Sequence, residues 1–154
     1  MSPLTYIIDK VVAKTYQEIG PFDYEKLVNE GLMSKKVLRD MYSTNIMVDG
    51  SKYAGQFQKG KTVKDGIGHI IYPDGALFEG VFRHDDTVKG RYIFTNGYVY
   101  EGQMKNHKMH GKGVLKYKGK MIYTGDFENG EQVNEKLTLF STASNTTCKN
   151  ENLD

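Results

Sequence analysis

The chain has 154 residues, 38% of them apolar, with 17 glycines and a formal net charge of +2. A chain of this size forms one unit with a thin core, and the charge is far below what sustained nucleic-acid binding requires. There is no run of 18 apolar residues to make a membrane-spanning helix, and the single cysteine, Cys148, excludes an internal disulfide and fits a reducing compartment.

Residues 1–42 read as an N-terminal helical segment. Leu4, Ile7, Ile8, Val11, Val12, Tyr16 and Ile19 recur at the spacing of an amphipathic helix over 3–19, with Ser2 as its cap, Pro3 in its first turn, and Gly20 and Pro21 as its stop. Asp9 and Glu18 interrupt the apolar pattern, so no secretory signal is expected, and the absence of Arg from the first twenty residues argues against a mitochondrial presequence. A second helix is predicted after Asp23, with Tyr24, Leu27 and Val28 on one side and a break at Gly31. A third is predicted from Ser34, with Val37, Leu38, Met41 and Tyr42 apolar. This segment is either a helical cap on the residues after it or a docking arm for a partner, with Leu4, Ile7, Ile8, Val11 and Val12 as its contact residues.

Residues 43–140 repeat one pattern. An aromatic, any residue, Gly, any residue and then an aromatic or Met reads Tyr53-Ala54-Gly55-Gln56-Phe57, Phe78-Glu79-Gly80-Val81-Phe82, Tyr100-Glu101-Gly102-Gln103-Met104 and Tyr123-Thr124-Gly125-Asp126-Phe127. The leading aromatics lie 25, 22 and 23 residues apart, a period typical of units that bury a face only by stacking. Six residues before each stands another large side chain (Met47, Tyr72, Phe94, Tyr117), and four before three of these a glycine (Gly68, Gly90, Gly113).

The intervening Val48-Asp49-Gly50, Pro73-Asp74-Gly75 and Thr95-Asn96-Gly97 suit three-residue hairpin loops closed by a left-handed Gly. Lys118-Gly119-Lys120 has its Gly one place early and predicts a different turn. Period-two alternation then puts Gly68, Ile70, Tyr72, Phe78, Gly80 and Phe82 on one face and His69, Ile71, Leu77, Glu79 and Val81 on the other. The first face is an aromatic stripe, Tyr53, Phe57, Phe78, Phe82, Tyr100, Met104, Tyr123 and Phe127. It serves either as core or as a partner-binding groove, and its glycines let a neighbouring repeat's ring lie flat on the backbone. The second face, with Ile46, Ile71, Leu77, Ile93, Val99 and Ile122, offers a seat for the N-terminal helix. Lys136–Phe140 is predicted to close the stack with a last strand open to β-augmentation, and 141–154 is a polar tail.

These motifs resemble the MORN repeat family, best in Tyr53 to Gly60 with Gly66-Ile67-Gly68 and Tyr72-Pro73-Asp74-Gly75, and in Tyr100-Glu101-Gly102 with Gly111-Lys112-Gly113. The second unit departs at Val88 and the fourth at Asn134 and Lys136, where the pattern has glycines. The resemblance implies a mostly β fold, a single-file stack of antiparallel hairpins (a MORN solenoid) with a helical segment before it. It further implies a cytoplasmic, non-enzymatic structural or adaptor protein with protein partners in a cytoskeletal assembly, specifically a microtubule-associated place in a ciliary or flagellar axoneme.

Chemical sites are scarce in the residues themselves. His107 and His110 lack ligands at metal spacing, Asp85 and Asp86 are adjacent solvated acids, Cys148 lacks a neighbouring base, and Gly66-Ile67-Gly68 precedes no helix. No catalytic residue, metal or cofactor is expected, and Asn145-Thr146-Thr147 has no secretory route to make it a glycosylation site. From 50 to 130 there are thirteen basic and eight acidic residues. Lys105, Lys108, Lys112, Lys116, Lys118 and Lys120 form a candidate patch for weak binding of anionic lipid. A peripheral phosphoinositide or membrane-binding module is therefore the alternative function, and a regulatory subunit of an enzyme such as a lipid kinase a third.

Overall fold

Each repeat closes as a hairpin because its turn residues leave the chain few alternatives. In the computed structural model, which describes residues 3, 6 and 9–133, Gly75 N–H donates to the Tyr72 carbonyl and Tyr72 N–H to the Ala76 carbonyl. Gly75 has φ +94° and Asp74 accepts from Ala76 N–H at 2.9 Å. The same loop recurs at Met47–Ser51 and Phe94–Tyr98. Lys118–Gly119 instead makes a two-residue turn with φ +49° and +78°, the mirror-image type that matches strand twist. His84–Asp85, Asn106–His107 and Asn129–Gly130 make the reverse connections with positive φ at both positions.

Among the described residues the result is one nine-stranded antiparallel meander in strict chain order. Its strands are β1 (Ser43–Ile46), β2 (Lys52–Phe57), β3 (Lys64–Ile71), β4 (Leu77–Arg83), β5 (Asp86–Ile93), β6 (Tyr98–Lys105), β7 (Lys108–Tyr117), β8 (Lys120–Glu128) and β9 (Glu131–Gln132). The register is the one alternation predicts. Gly55, Gly68, Gly80, Gly90, Gly102, Gly113 and Gly125 are successive partners from β2 to β8, so a row of glycines crosses the sheet.

The two faces have different covers. On the glycine face the rings pack on one another, with Tyr53, Phe78 and Tyr100 fully buried. On the other face lies helix α1 (Lys10–Ile19), whose Val12 and Tyr16 meet Ile71, Leu77 and Ile93. Helix α2 (Glu25–Asn29) comes next, and its Leu27 packs with Phe22 and Val81.

The helical segment differs from expectation in two places. Helix α1 starts at Lys10, capped by Asp9, which accepts from Val12 N–H at 2.9 Å, and not at Pro3 under a Ser2 cap. Pro3 lies in a short turn, its carbonyl accepting from Tyr6 N–H. Asp9 takes the cap because the cap must sit where the helix meets the sheet, here beside the Gly75 turn. The helix predicted from Ser34 does not form. Arg39 is extended and bridges Gln58, Asp40 N–H donates to the Phe57 carbonyl, and Lys59 N–H donates to the Leu38 carbonyl. Arg39 is held there by the buried Asp65 at 2.7 Å, a demand that a helix from Ser34 would not meet. The predicted strand Lys136–Phe140 and the tail 141–154 lie outside the described residues.

Candidate functional site

The aromatic stripe is built by a rule that repeats down the chain. Each leading Tyr folds back over the glycine two residues on, and its hydroxyl donates to the carbonyl three residues on. Tyr53 reaches Gln56 at 2.7 Å, Tyr100 reaches Gln103 at 2.5 Å and Tyr123 reaches Asp126 at 3.1 Å. The ring also covers the partner glycine on the next strand, as a Cβ on Gly68 would stand 2.6 Å from the Tyr53 hydroxyl. The glycines therefore accommodate both their own unit's ring and, as expected, a neighbouring unit's. Edge-to-face contacts link Tyr53 with Phe57 and Phe82, Phe78 with Phe82, and Phe127 with Tyr100 and Tyr123, each worth about 0.5–1.5 kcal/mol beyond the area it buries. Of the eight stripe residues, Tyr123 is half-buried and the rest are buried. Burial pushes the Tyr100 phenol up to about 12.

The Gly-x-Gly motif has a partner that sequence reading overlooked. Gly66 and Gly111 have φ +107° and +81°, and the next backbone N–H, of Ile67 or Lys112, donates to the side-chain oxygen of Gln56 or Gln103 at 2.9 or 2.7 Å. Where the second unit has Val88 in place of the glycine, it also has Val81 in place of the glutamine. Glutamine and glycine come and go together within this one chain, which is the signal that was available.

Across the sheet, the helix-covered face contains a buried ion pair. Arg91 and Glu79 are register partners on β5 and β4, with Nη2 to Oε1 2.8 Å and side-chain exposures of 7% and 2%. The Arg91 guanidinium also donates to the Gly20 carbonyl at 2.7 Å and lies 5.7 and 5.5 Å from the Tyr16 and Phe22 rings. It thereby clamps the α1–α2 link to the sheet. Burial raises the Glu79 carboxyl, partly offset by Arg91.

Beside this pair lies a cavity of about 520 Å³ lined by Tyr16, Phe22, Tyr24, Tyr42, His69 and Glu79, among others. Burial holds His69 neutral, its pKa lowered to about 4, with Nδ1 3.3 Å from the Tyr42 hydroxyl. At the β2–β4 corner Asp65 is buried. Burial alone would raise its carboxyl, yet bonds from the Gln58 amide, His84 N–H and the Arg39 guanidinium together hold it low.

The other sequence candidates are dispersed. Val12 is buried against the sheet, Val11 is 44% exposed, and Leu4, Ile7 and Ile8 lie outside the described residues. Lys105 and Lys108 flank the Asn106–His107 turn, whereas Lys118 and Lys120 stand at the other end of β7. Ten residues of strand set the two groups about 30 Å apart. Lys116 lies near the second group, and Lys112 pairs with Asp126 at 2.8 Å.

Asp85 and Asp86 serve the turns, accepting from Lys64 N–H and Asn106 N–H respectively. His107 bonds the Tyr72 hydroxyl at 2.7 Å. Among the described residues no three His, Cys, Asp or Glu side chains are grouped to hold a metal ion, and no helix is long and apolar enough to cross a membrane.

The MORN repeat family model matches residues 53–77 and 100–120, the two segments that contain both the Gln and the left-handed Gly. MORN repeats are non-enzymatic modules generally involved in protein–protein or membrane and lipid contacts. With that match, the hairpin meander and the ring-on-glycine rule in place, the chain carries MORN repeats at residues 53–77 and 100–120.

Proposed function

We propose that this chain is a non-enzymatic structural adaptor joining protein subunits of a cytoskeletal assembly, specifically a microtubule-associated place in the axoneme of a cilium or flagellum. The observation that carries the adaptor reading is the outer edge of β1. Leu38, Met41, Ile46 and Val48, four of the ten exposed large apolar side chains among the described residues, lie within eleven residues on that strand and its flanks. The strand itself, Ser-Thr-Asn-Ile, has none of the Lys, Pro or inward charge by which proteins protect an open edge. An apolar edge without such protection is a docking surface for another chain. The axonemal assignment is an expectation from the family resemblance. Separation of the lysines at two ends of the sheet speaks against the membrane reading, which needs them together.

The test is retention of the tagged chain in detergent-extracted axonemes of ciliated cells. The proposal expects retention, reduced severalfold by Ile46→Lys with Val48→Lys. Complete release of the unaltered chain by detergent, or binding to phosphoinositide vesicles that is lost on replacing the lysines by Glu, overturns it.

A further inference from the structure

The helix-covered face is only partly covered. Helix α1 occupies the strip over β3–β5 and reaches Val99 of β6, Lys26 of α2 reaches Glu101 of β6, and the same face continues onto β7 and β8, where Lys116 and Met121 are exposed. A cleft of about 1060 Å³ opens there between α1 and the strands. Its apolar lining comprises Val11 and Ile19 from α1, 44% and 42% exposed, and Val99 from β6. Met121, the register partner of Lys116, extends the apolar surface onto β8 at 60% exposure. Two strand spacings of about 4.8 Å separate β6 from β8, about the 10 Å width of one further helix laid beside α1.

The rim is cationic on both walls. Lys10 and Lys14 project from α1 and Lys116 and Lys118 from β7 and its turn, all exposed. Among the described residues the two acids at the cleft are Glu18 and Glu101, and Glu101 is already bound to Lys26 at 2.7 Å. We propose that this cleft seats an acidic amphipathic helix of a partner protein, its apolar stripe on Val99 and its carboxylates against the two lysine walls. An acidic tail without an apolar stripe would leave the floor wet, and a flat bilayer would meet the rim without reaching a floor recessed between helix and strand. This deepens the adaptor reading, on which it rests, by giving the chemistry of one partner.

The probe is a fluorescein-labelled 15-residue helical peptide with Leu at i, i+3, i+4 and i+7 spacing and Glu on the flanks, followed by anisotropy. Controls are a scrambled peptide of the same composition and a version with Lys for Glu. Saturable binding of the acidic amphipathic peptide alone is expected. Lys116→Glu with Lys118→Glu, or Lys10→Glu with Lys14→Glu, weakens it by about tenfold or more. Lys105→Glu with Lys108→Glu, at the far end of the sheet, leaves it unchanged. Equal binding of the scrambled peptide, equal loss with the distant lysines, or binding only to anionic phospholipid vesicles overturns the proposal. If the peptide fails to bind while axonemal retention still depends on Ile46 and Val48, this inference falls and the adaptor reading stands.

Discussion

Removing either member of the Arg91–Glu79 pair should cost far more than removing both. Glu79→Leu leaves a guanidinium that is 7% exposed with the Gly20 carbonyl and two aromatic rings as its remaining partners. An uncompensated charge in such a site costs about 3–5 kcal/mol. Arg91→Met leaves Glu79, whose carboxyl is already raised by burial, so it can escape by taking a proton. That variant should recover part of its loss as pH falls toward 5, where protonating the carboxylate is easier. The double variant Glu79→Leu/Arg91→Met exchanges the pair for apolar volume, which at such sites is often neutral or stabilising. Its loss should stay within about 1–2 kcal/mol, attributable to the missing bond to Gly20. Urea unfolding followed by far-ultraviolet circular dichroism measures all four proteins, since the chain has no Trp. If the single losses simply add in the double variant, or if Glu79→Leu costs under about 1 kcal/mol, the pair does not clamp helix to sheet and the reasoning fails.

Four further predictions rest on named positions. The His69 imidazole, ordinarily near 6.5, is lowered to about 4 by burial, so as pH falls the unfolded chain takes the proton first. Stability is then lost between about 6.5 and 4, by about 3 kcal/mol in total, and His69→Asn should flatten that limb of a stability–pH profile; an unchanged profile refutes the assignment. Asp65 acts in a lower window, since its depressed carboxyl gives stability above the unfolded value of 3.8 that is lost as pH falls through the folded value. Gly102→Ala places a methyl 2.5 Å from the Lys112 carbonyl and 2.8 Å from the Tyr100 hydroxyl and should cost about 3 kcal/mol. Gly119→Ala meets only its φ of +78° in open space and should cost about 1–2 kcal/mol; equal losses would contradict the ring-on-glycine rule. Leu27→Ala, at 1% exposure, should cost about 2–5 kcal/mol by chemical denaturation, and a loss below 1 kcal/mol would mean that α2 is not docked.

How much of this was legible depended on whether the deciding contact was local. The hairpins were, because Pro73-Asp74-Gly75 fixes its own turn and period-two alternation then fixes the faces, down to Gly68 opposite Gly80. Seating the N-terminal helix on Ile71, Leu77 and Ile93 came from apolar residues on a face that rings did not fill. The third helix was misread because Val37 to Tyr42 has helical spacing, while its conformation is set by Asp65, 26 residues from Arg39. The lysine patch was misleading for a geometric reason, since neighbours along a strand advance about 3.3 Å per residue without turning back. Glu79 and Arg91 could have been paired in advance, being opposite charges at facing positions among Leu77, Val81 and Ile93.

The row of glycines beneath the rings is the feature on which hairpin order, register and ring placement all depend. Nuclear Overhauser spectroscopy tests it most directly. Strong Hα–Hα contacts are predicted for Gly55 with Gly68, Gly80 with Gly90 and Gly102 with Gly113, the closely approaching pairs, each with one Hα shifted upfield by Tyr53, Phe78 or Tyr100. Glycine Hα signals at ordinary positions without those contacts would contradict it.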